Sequence, residues 1–570
     1  MLIYNHWKFA IEDFNIIKPV IKRFVQRYHP TKKIGSCHYP FKDFITDRDK
    51  ELFNLCKSRV KMLYEAEAKT WEEAQTFYLD HYGTPPTFFK QWYQFANANN
   101  CRINRYDQLQ SQLSPFKNKS TNFAEILTKL VTFLDNNDQL TQVTFYNGSI
   151  HINARNERER AYISILRRIA HLMPSLNLTI NTHAQPLVMH NKDFDGMQSR
   201  FSHNPSKLGS VKIETKIQNA PQPPSVKQIS SILRDTCNAD PYRQSLYQGY
   251  GLFISPPQEF QTFQFAPMLS WSNYPGCTND ILIPSVFHYD FKTLNKAKHQ
   301  NDFWKKKDSL LWRGTTSGSP FYNPNNTNYT PDHICVHNCT VDQYKITNPQ
   351  LFAQHVWFYS HRQRAVTVAN LYPKLVDVKF IGAVEMHPDL KTEVGNFYSI
   401  ARRKQFHSFF DHKFILDLDG NGYSGRFLNL LHGNSLIFAG HYAEHWFSDL
   451  VIPFYHYVPV HMGFTNINST SLTDGFKRQL SYYKTKTPKF EFISPKTEQG
   501  GSINIPLGYN DLIPKLMYYQ NNLVVSAKMA YQGQHFAMNN LRQVDMDCFI
   551  FRAFVEMHDL LVKLDTEKSG

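Results

Sequence analysis

Apolar residues recur at helical spacing over 49–68, where Leu52, Phe53, Leu55, Cys56, Val60, Leu63 and Tyr64 line up, as in an amphipathic helix. A second helix is predicted over Trp71–His81. Tyr82-Gly83-Thr84-Pro85-Pro86 stops it, and an aromatic helix follows at Phe88–Asn99, because Gly and Pro punctuate helical patterns. The break and restart reads as a helical hairpin packed on a main body. From Phe123 to His190, helical stretches (Ala124–Leu134, Arg158–Leu172) alternate with extended ones (Leu140–Tyr146, Leu178–Ile180). That βα rhythm predicts a parallel sheet. The polar stretch 191–225, with Pro205, Pro221, Pro223 and Pro224, reads as a surface excursion.

A second α/β pattern begins near Ser309. Leu310-Leu311-Trp312 is predicted to be a strand entering a glycine-containing loop, and Phe321–Cys339 a polar insertion. Phe414–Leu418 reads as a buried strand, Gly425–Gly433 as a helix and Ser435–Phe438 as another strand, together a βαβ unit. Arg478–Gly501 is a polar connector, and Leu541–Leu564 carries a long helical stripe.

At 570 residues, with 42% hydrophobic and 15% aromatic content, the chain has material for two or three cored domains. The formal charge of +15 favours anionic partners. The basic runs are broken by acids, as in 155–160, so a nucleic-acid tail is excluded. No apolar run reaches about 18 residues; Phe9–Val25 is interrupted by Glu12, Asp13, Lys18, Lys22 and Arg23. Sequons at Asn118, Asn147, Asn177, Asn325, Asn328, Asn338 and Asn468 are compatible with a secretory lumen, and Cys335 and Cys339 could close a loop disulfide.

The densest chemical signal is 417–426, Asp417-Leu418-Asp419-Gly420-Asn421-Gly422-Tyr423-Ser424-Gly425-Arg426. Its first half has EF-hand spacing, but Leu428 stands where a bidentate Glu is required. Two readings remain. In one, strand alternation brings Asp417 and Asp419 to one face, where they share a cation. In the other, a glycine-rich turn and helix start, with the Ser424 hydroxyl and the Arg426 guanidinium, form a diphosphate site. Trp312-Arg313-Gly314-Thr315-Thr316-Ser317-Gly318 is a second cationic, donor-rich loop. His441-Tyr442-Ala443-Glu444-His445 has the order of an inverted zinc-peptidase motif; on a helix His441 and His445 would share a face, with no third ligand evident.

At these loops the sequence resembles glycosyltransferase family 90, which includes capsule-associated xylosyltransferase-like proteins and protein O-glucosyltransferases. Leu310–Gly318 is similar to its "WRG(S/T)TTG" segment and Lys413–Phe427 to its "DGNGxSGRF" block. Further similarities run through Tyr82–Pro86 with Trp92, Asp280–Ser285, His456–Val460 and the closing 541–556 stretch, from roughly residue 78 to 560. The resemblance implies an α/β fold of GT-B type, two Rossmann-like halves facing a cleft. The expected organisation is a helical extension (1–120), an acceptor half (121–290), a UDP-sugar donor half (291–535) and a closing helix (536–570).

It implies further that Arg313, Gly314, Thr315, Thr316, Asp419, Gly420, Ser424, Gly425 and Arg426 bind the donor, UDP-xylose or UDP-glucose. No metal is required by that scheme, with manganese left open as an option. The acceptor would be a glycan or protein hydroxyl, with no nucleic-acid partner; any membrane attachment would come through an anchor outside this chain, and the compartment would be the Golgi or endoplasmic reticulum lumen. Two departures stand out. Where the family carries its base Asp, this sequence has Ala184, beside His183; where it has Glu-Trp, this sequence has His445-Trp446. A direct-displacement transferase needs a base near the nucleophile, so a non-catalytic relative that binds nucleotide-sugar or glycan is the alternative.

Overall fold

The computed structural model describes residues 36–40, 47–63, 65, 67–104, 106–117, 123–133, 140–152, 157–182, 184, 186, 266–275, 278–289, 302–318, 360–370, 372–384, 394, 398, 400–462, 509 and 511–566. The possible Cys335–Cys339 pair, the stretches 191–225 and 478–501, and His183 lie outside them.

The N-terminal helices are α1 (Asp47–Leu63), α2 (Trp71–Tyr82), α3 (Phe89–Ala98), α4 (Asp107–Lys117) and α5 (Phe123–Phe133). Helix α2 starts where the Thr70 hydroxyl accepts from the Glu73 N–H, and Glu73 accepts in turn from the Lys69 N–H, a variant of the capping box. It stops at Gly83, whose φ of 91° suits glycine. Helix α4 has no sequence signature: its Gln108 and Gln110 are buried because their amides reach Glu444 and Glu556.

Strand β1 (Leu140–Tyr146), β2 (Ser149–Ile152), helix α6 (Glu157–Leu166), β3 (Leu176–Asn181), β4 (Leu269–Ser270) and β5 (Ile281–Leu282) follow. The strands form a sheet in the order β2-β1-β3-β4-β5. It is mixed, which corrects the expected parallel sheet: β1 pairs antiparallel with both β2 and β3, while β3, β4 and β5 are parallel. The cause is local. Asn147 (φ 48°) and Gly148 (φ 74°) make a two-residue turn of the type that sends a strand straight back. The helix expected over 158–172 also ends early, at Leu166, with a separate 3₁₀ turn at Ala170–Leu172.

The second sheet contains β6 (Lys307–Thr315), β7 (Val376–Gly382) after helix α7 (His361–Asn370), β8 (His412–Leu418), β9 (Leu436–Gly440) after α8 (Phe427–Leu431), and β10 (Val458–Pro459). The order is β10-β9-β8-β6-β7 and every pairing is parallel. The expected βαβ unit is β8-α8-β9, with a shorter helix than predicted. Every β8 position is buried, as expected of a strand covered on both faces. The molecule is therefore an α/β protein with two five-stranded sheets, one all-parallel, flanked by helices.

Helices α9 (Leu512–Asn521), α10 (Leu523–Asn540) and α11 (Gln543–Thr566) are the last elements among the described residues. Helix α11 returns to the N-terminal half: Asp547 pairs with Arg168 at 2.7 Å, and Cys548 is disulfide-bonded to Cys101, 447 positions away. Arg552 bonds Glu556 and lies 4.4 Å from the Phe89 and Trp92 ring centres, a desolvated cation–π arrangement. A second disulfide joins Cys37 and Cys56. Both bridges point to an oxidising, secretory compartment; no described helix is long and apolar enough to cross a membrane.

Buried His456 makes acid stability measurable. Its Nδ1 accepts from the Ile452 N–H at 2.9 Å, and burial lowers its pKa to about 3. The unfolded chain takes this proton near 6.5, so the contribution is complete above that pH and is lost as pH falls toward 3. Each unit in that window costs about 1.4 kcal/mol. Urea unfolding at pH 7 and pH 5 should show this loss, and His456→Asn, which keeps an acceptor, should reduce it; equal losses in the two proteins would refute the assignment.

Candidate functional site

Strands β6 and β8 are parallel neighbours, but the chain leaves them in opposite directions. From β6 it runs through α7 to β7 at one edge; from β8 it runs through α8 to β9 on the other side. Carboxyl ends that diverge in this way open a crevice, the usual ligand position in open α/β sheets. The two loops singled out in the sequence, 313–318 and 417–426, flank it.

They are bonded to each other. The Gly318 N–H donates to Asn421 Oδ1 at 2.6 Å. Gly318 has φ 85°, and a Cβ there would lie 2.6 Å from the Gly420 carbonyl and 2.5 Å from the His361 ring, so glycine permits the approach. Arg362 joins both loops: Nη1 donates to the Thr315 carbonyl (2.9 Å) and Ser317 Oγ (2.7 Å), and Nε to the Asp419 carbonyl (2.7 Å). His361 Nε2 meets the same carbonyl at 2.8 Å. Neither α7 residue was legible in the sequence, since His361-Arg362-Gln363-Arg364 reads as a solvated polar run yet is buried.

Asp417 is the organising carboxylate. Ser424 Oγ donates to its Oδ1 at 2.8 Å, His441 Nε2 lies 3.0 Å from its Oδ2, and Arg426 Nη2 stands 3.5 Å away. Burial pushes this carboxyl up, but His441, Arg426 and Ser424 hold it below the ordinary aspartate range. Arg426 is a quarter exposed and donates through Nη1 to the Arg313 carbonyl at 2.6 Å. Of the predicted donor residues, Gly420, Ser424, Gly425 and Arg426 thus share one loop.

Arg313 is placed differently. Its Nη2 reaches both Asp377 oxygens at 2.7 Å and its Nη1 donates to the Asp377 carbonyl, so the guanidinium turns toward β7. The Thr316 hydroxyl is buried and exchanges bonds with Val384. Gly314 has the Trp312 ring against it: a Cβ there would lie 2.5 Å from that ring. The β6 loop therefore contributes shape and backbone more than free side-chain donors.

The segment 441–445 is irregular, which corrects the helix considered for it. His441 and His445 nevertheless converge, and the third partner is Asp419: one ligating atom from each lies within 4.8 Å of the others. Asp419 Oδ2 accepts from the Tyr442 and Ala443 N–H groups. Burial raises its carboxyl to about 6 despite these bonds and His441. Burial, then His441 and His288, keeps the His445 imidazole neutral, well below the histidine range. Asp417 bonds Ser424 and His441, while Asp419 is the carboxylate that gathers with both histidines.

Opposite Gly422 stands Ala184, just beyond β3. A Cβ on Gly422 would lie 1.5 Å from the Ala184 carbonyl oxygen. That carbonyl accepts from Ser272 Oγ at 2.9 Å, and the Gly422 carbonyl accepts from the Tyr274 hydroxyl at 2.9 Å. Position 184 thus lies against the glycine-rich loop, with a methyl group as its side chain. No known protein-family model matches the chain.

Proposed function

We propose that this protein is a UDP-sugar-binding glycosyltransferase of GT-B type, with xylose or glucose as the transferred sugar. The observation that carries this reading is the bonded pair of loops after β6 and β8, at the point where the parallel sheet changes direction. A cationic crevice there suits a diphosphate. The partly exposed Arg426, with glycines 420, 422 and 425 beside it, is the anion-binding element. Arg362 fixes the loop geometry, and Arg313 supports the loop through Asp377. The resemblance of both loops to family 90 supplies the nucleotide and sugar class. An oxidising compartment agrees with a Golgi or endoplasmic reticulum lumen.

The acceptor side meets the loop at Ala184, where the resembling family keeps its base. That favours, as a second reading, a binding protein that no longer transfers sugar. The two readings share the donor site and differ in turnover.

Thermal melting tests the shared part. UDP at about 100 times its Kd should stabilise the protein by about 2.7 kcal/mol, and Arg426→Ala should remove the shift. Absence of any shift with UDP, UDP-xylose or UDP-glucose would overturn the nucleotide reading. A UDP-release assay over a panel of acceptors then separates the readings: release supports transfer, while silence with intact UDP binding supports the binding protein.

A further inference from the structure

His445 is 1% exposed, and neither of its ring nitrogens has a hydrogen-bond partner. A buried polar group left this way costs about 1–3 kcal/mol. Its ring stacks on Phe447 at 4.9 Å and 21°, which accounts for the faces but not for the nitrogen-bearing edge. Beside it Asp419 is fully buried, with Oδ2 bonded twice and Oδ1 without a partner. The unmet groups belong to two separate segments, yet with His441 they gather within 4.8 Å.

We propose that Asp419, His441 and His445 bind one transition-metal dication of the zinc class, pinning the end of β8 to the segment after β9. Two imidazoles and one carboxylate suit zinc, whereas calcium and magnesium take oxygen ligands. His441 is already oriented, since its Nε2 lies 3.0 Å from Asp417 Oδ2. A carboxylate on the far nitrogen is the usual support for a metal-binding histidine, and it leaves Nδ1 for the ion. Zinc–nitrogen bonds of about 2.0–2.1 Å require the three side chains to draw together on loading. The same Asp417 holds Ser424 and Arg426, so an ion here stiffens the glycine-rich loop from behind. The inference does not rest on the nucleotide reading, because metal content is measured without nucleotide.

The alternative occupant is a buried water bridging the same atoms. The full chain is loaded with zinc, passed over a chelating resin and assayed by elemental mass spectrometry. About one equivalent of zinc is expected, with a melting temperature that falls on chelation and recovers with zinc but not magnesium. His445→Phe, which extends the stacked layer with Phe447 and Phe427, should retain the fold and lower zinc affinity at least tenfold. Cobalt(II) added to the stripped wild type should give the visible bands of a nitrogen- and oxygen-ligated ion, a readout that stands even where the variant does not fold. Metal-free protein indifferent to zinc and chelator, no cobalt bands, or an undiminished equivalent in His445→Phe would each overturn the proposal.

Discussion

Gly422→Ala is expected to abolish the proposed UDP binding and to lower stability by about 3 kcal/mol or more. The added Cβ would fall 1.5 Å from the Ala184 oxygen and 2.4 Å from its carbonyl carbon. Both are backbone atoms, so no side-chain rotation relieves the overlap. Overpacking a tight site costs about 1–3 kcal/mol when neighbours can adjust, and more when they cannot. The loop must retreat from the first sheet, breaking the Tyr274–Gly422 bond and disturbing the ladder from Asp417 to Arg426. Gly382→Ala is the matched control, since nothing lies within 4 Å of its new Cβ. Calorimetric melting and UDP titration of both variants decide the matter. A Gly422→Ala protein that melts and binds like the control would show that the loop does not press on residue 184.

Lys515→Met should cost about 3–5 kcal/mol, the range for leaving a buried charge without its partner. Lys515 is fully buried and donates to Asp49 Oδ1 at 2.7 Å, Asp511 Oδ2 at 2.6 Å and the Pro459 carbonyl at 2.8 Å. It ties α1 and α9 to β10. Burial alone would lower this amine, but the two carboxylates raise it above the lysine range. Burial already lifts the Asp49 carboxyl to about 6 with Lys515 in place, and losing the ammonium that opposes this raises it further. Relative to wild type the added penalty is therefore small below about 6 and grows as pH rises past it. The deficit relative to wild type should therefore be larger at pH 8 than at pH 5.5, and Asp49→Asn on the variant background should recover part of it. Urea unfolding at both pH values is the measurement; a loss below about 1 kcal/mol at pH 8 would contradict the assignment.

Where the signal was local, the sequence was legible. Apolar stripes marked α1 and α11, the Gly83-Thr84-Pro85-Pro86 break separated α2 from the aromatic α3, and the apolar run Phe414-Ile415-Leu416 marked β8. The two glycine-bearing loops stood out because few residue types allow close backbone approach. Strands β4 and β5 escaped notice because each has two residues, too few for any period. Helix α4 escaped because its glutamines look solvated until Glu444 and Glu556 arrive from the far end of the chain. The antiparallel hairpin was readable in principle from Asn147-Gly148.

From the sequence alone came the α/β class, the position of the βαβ unit, and the pair of loops proposed as the site. Those properties depend on period and backbone freedom, which neighbouring residues carry. The tertiary structure alone decided what each charged side chain does. Arg313 is bound to Asp377, Asp417 organises the loop, and Asp419 turns to two histidines more than twenty positions away. A carboxylate's role is set by the charges and donors within a few ångströms, and those partners are chosen by the fold, whatever their distance along the chain.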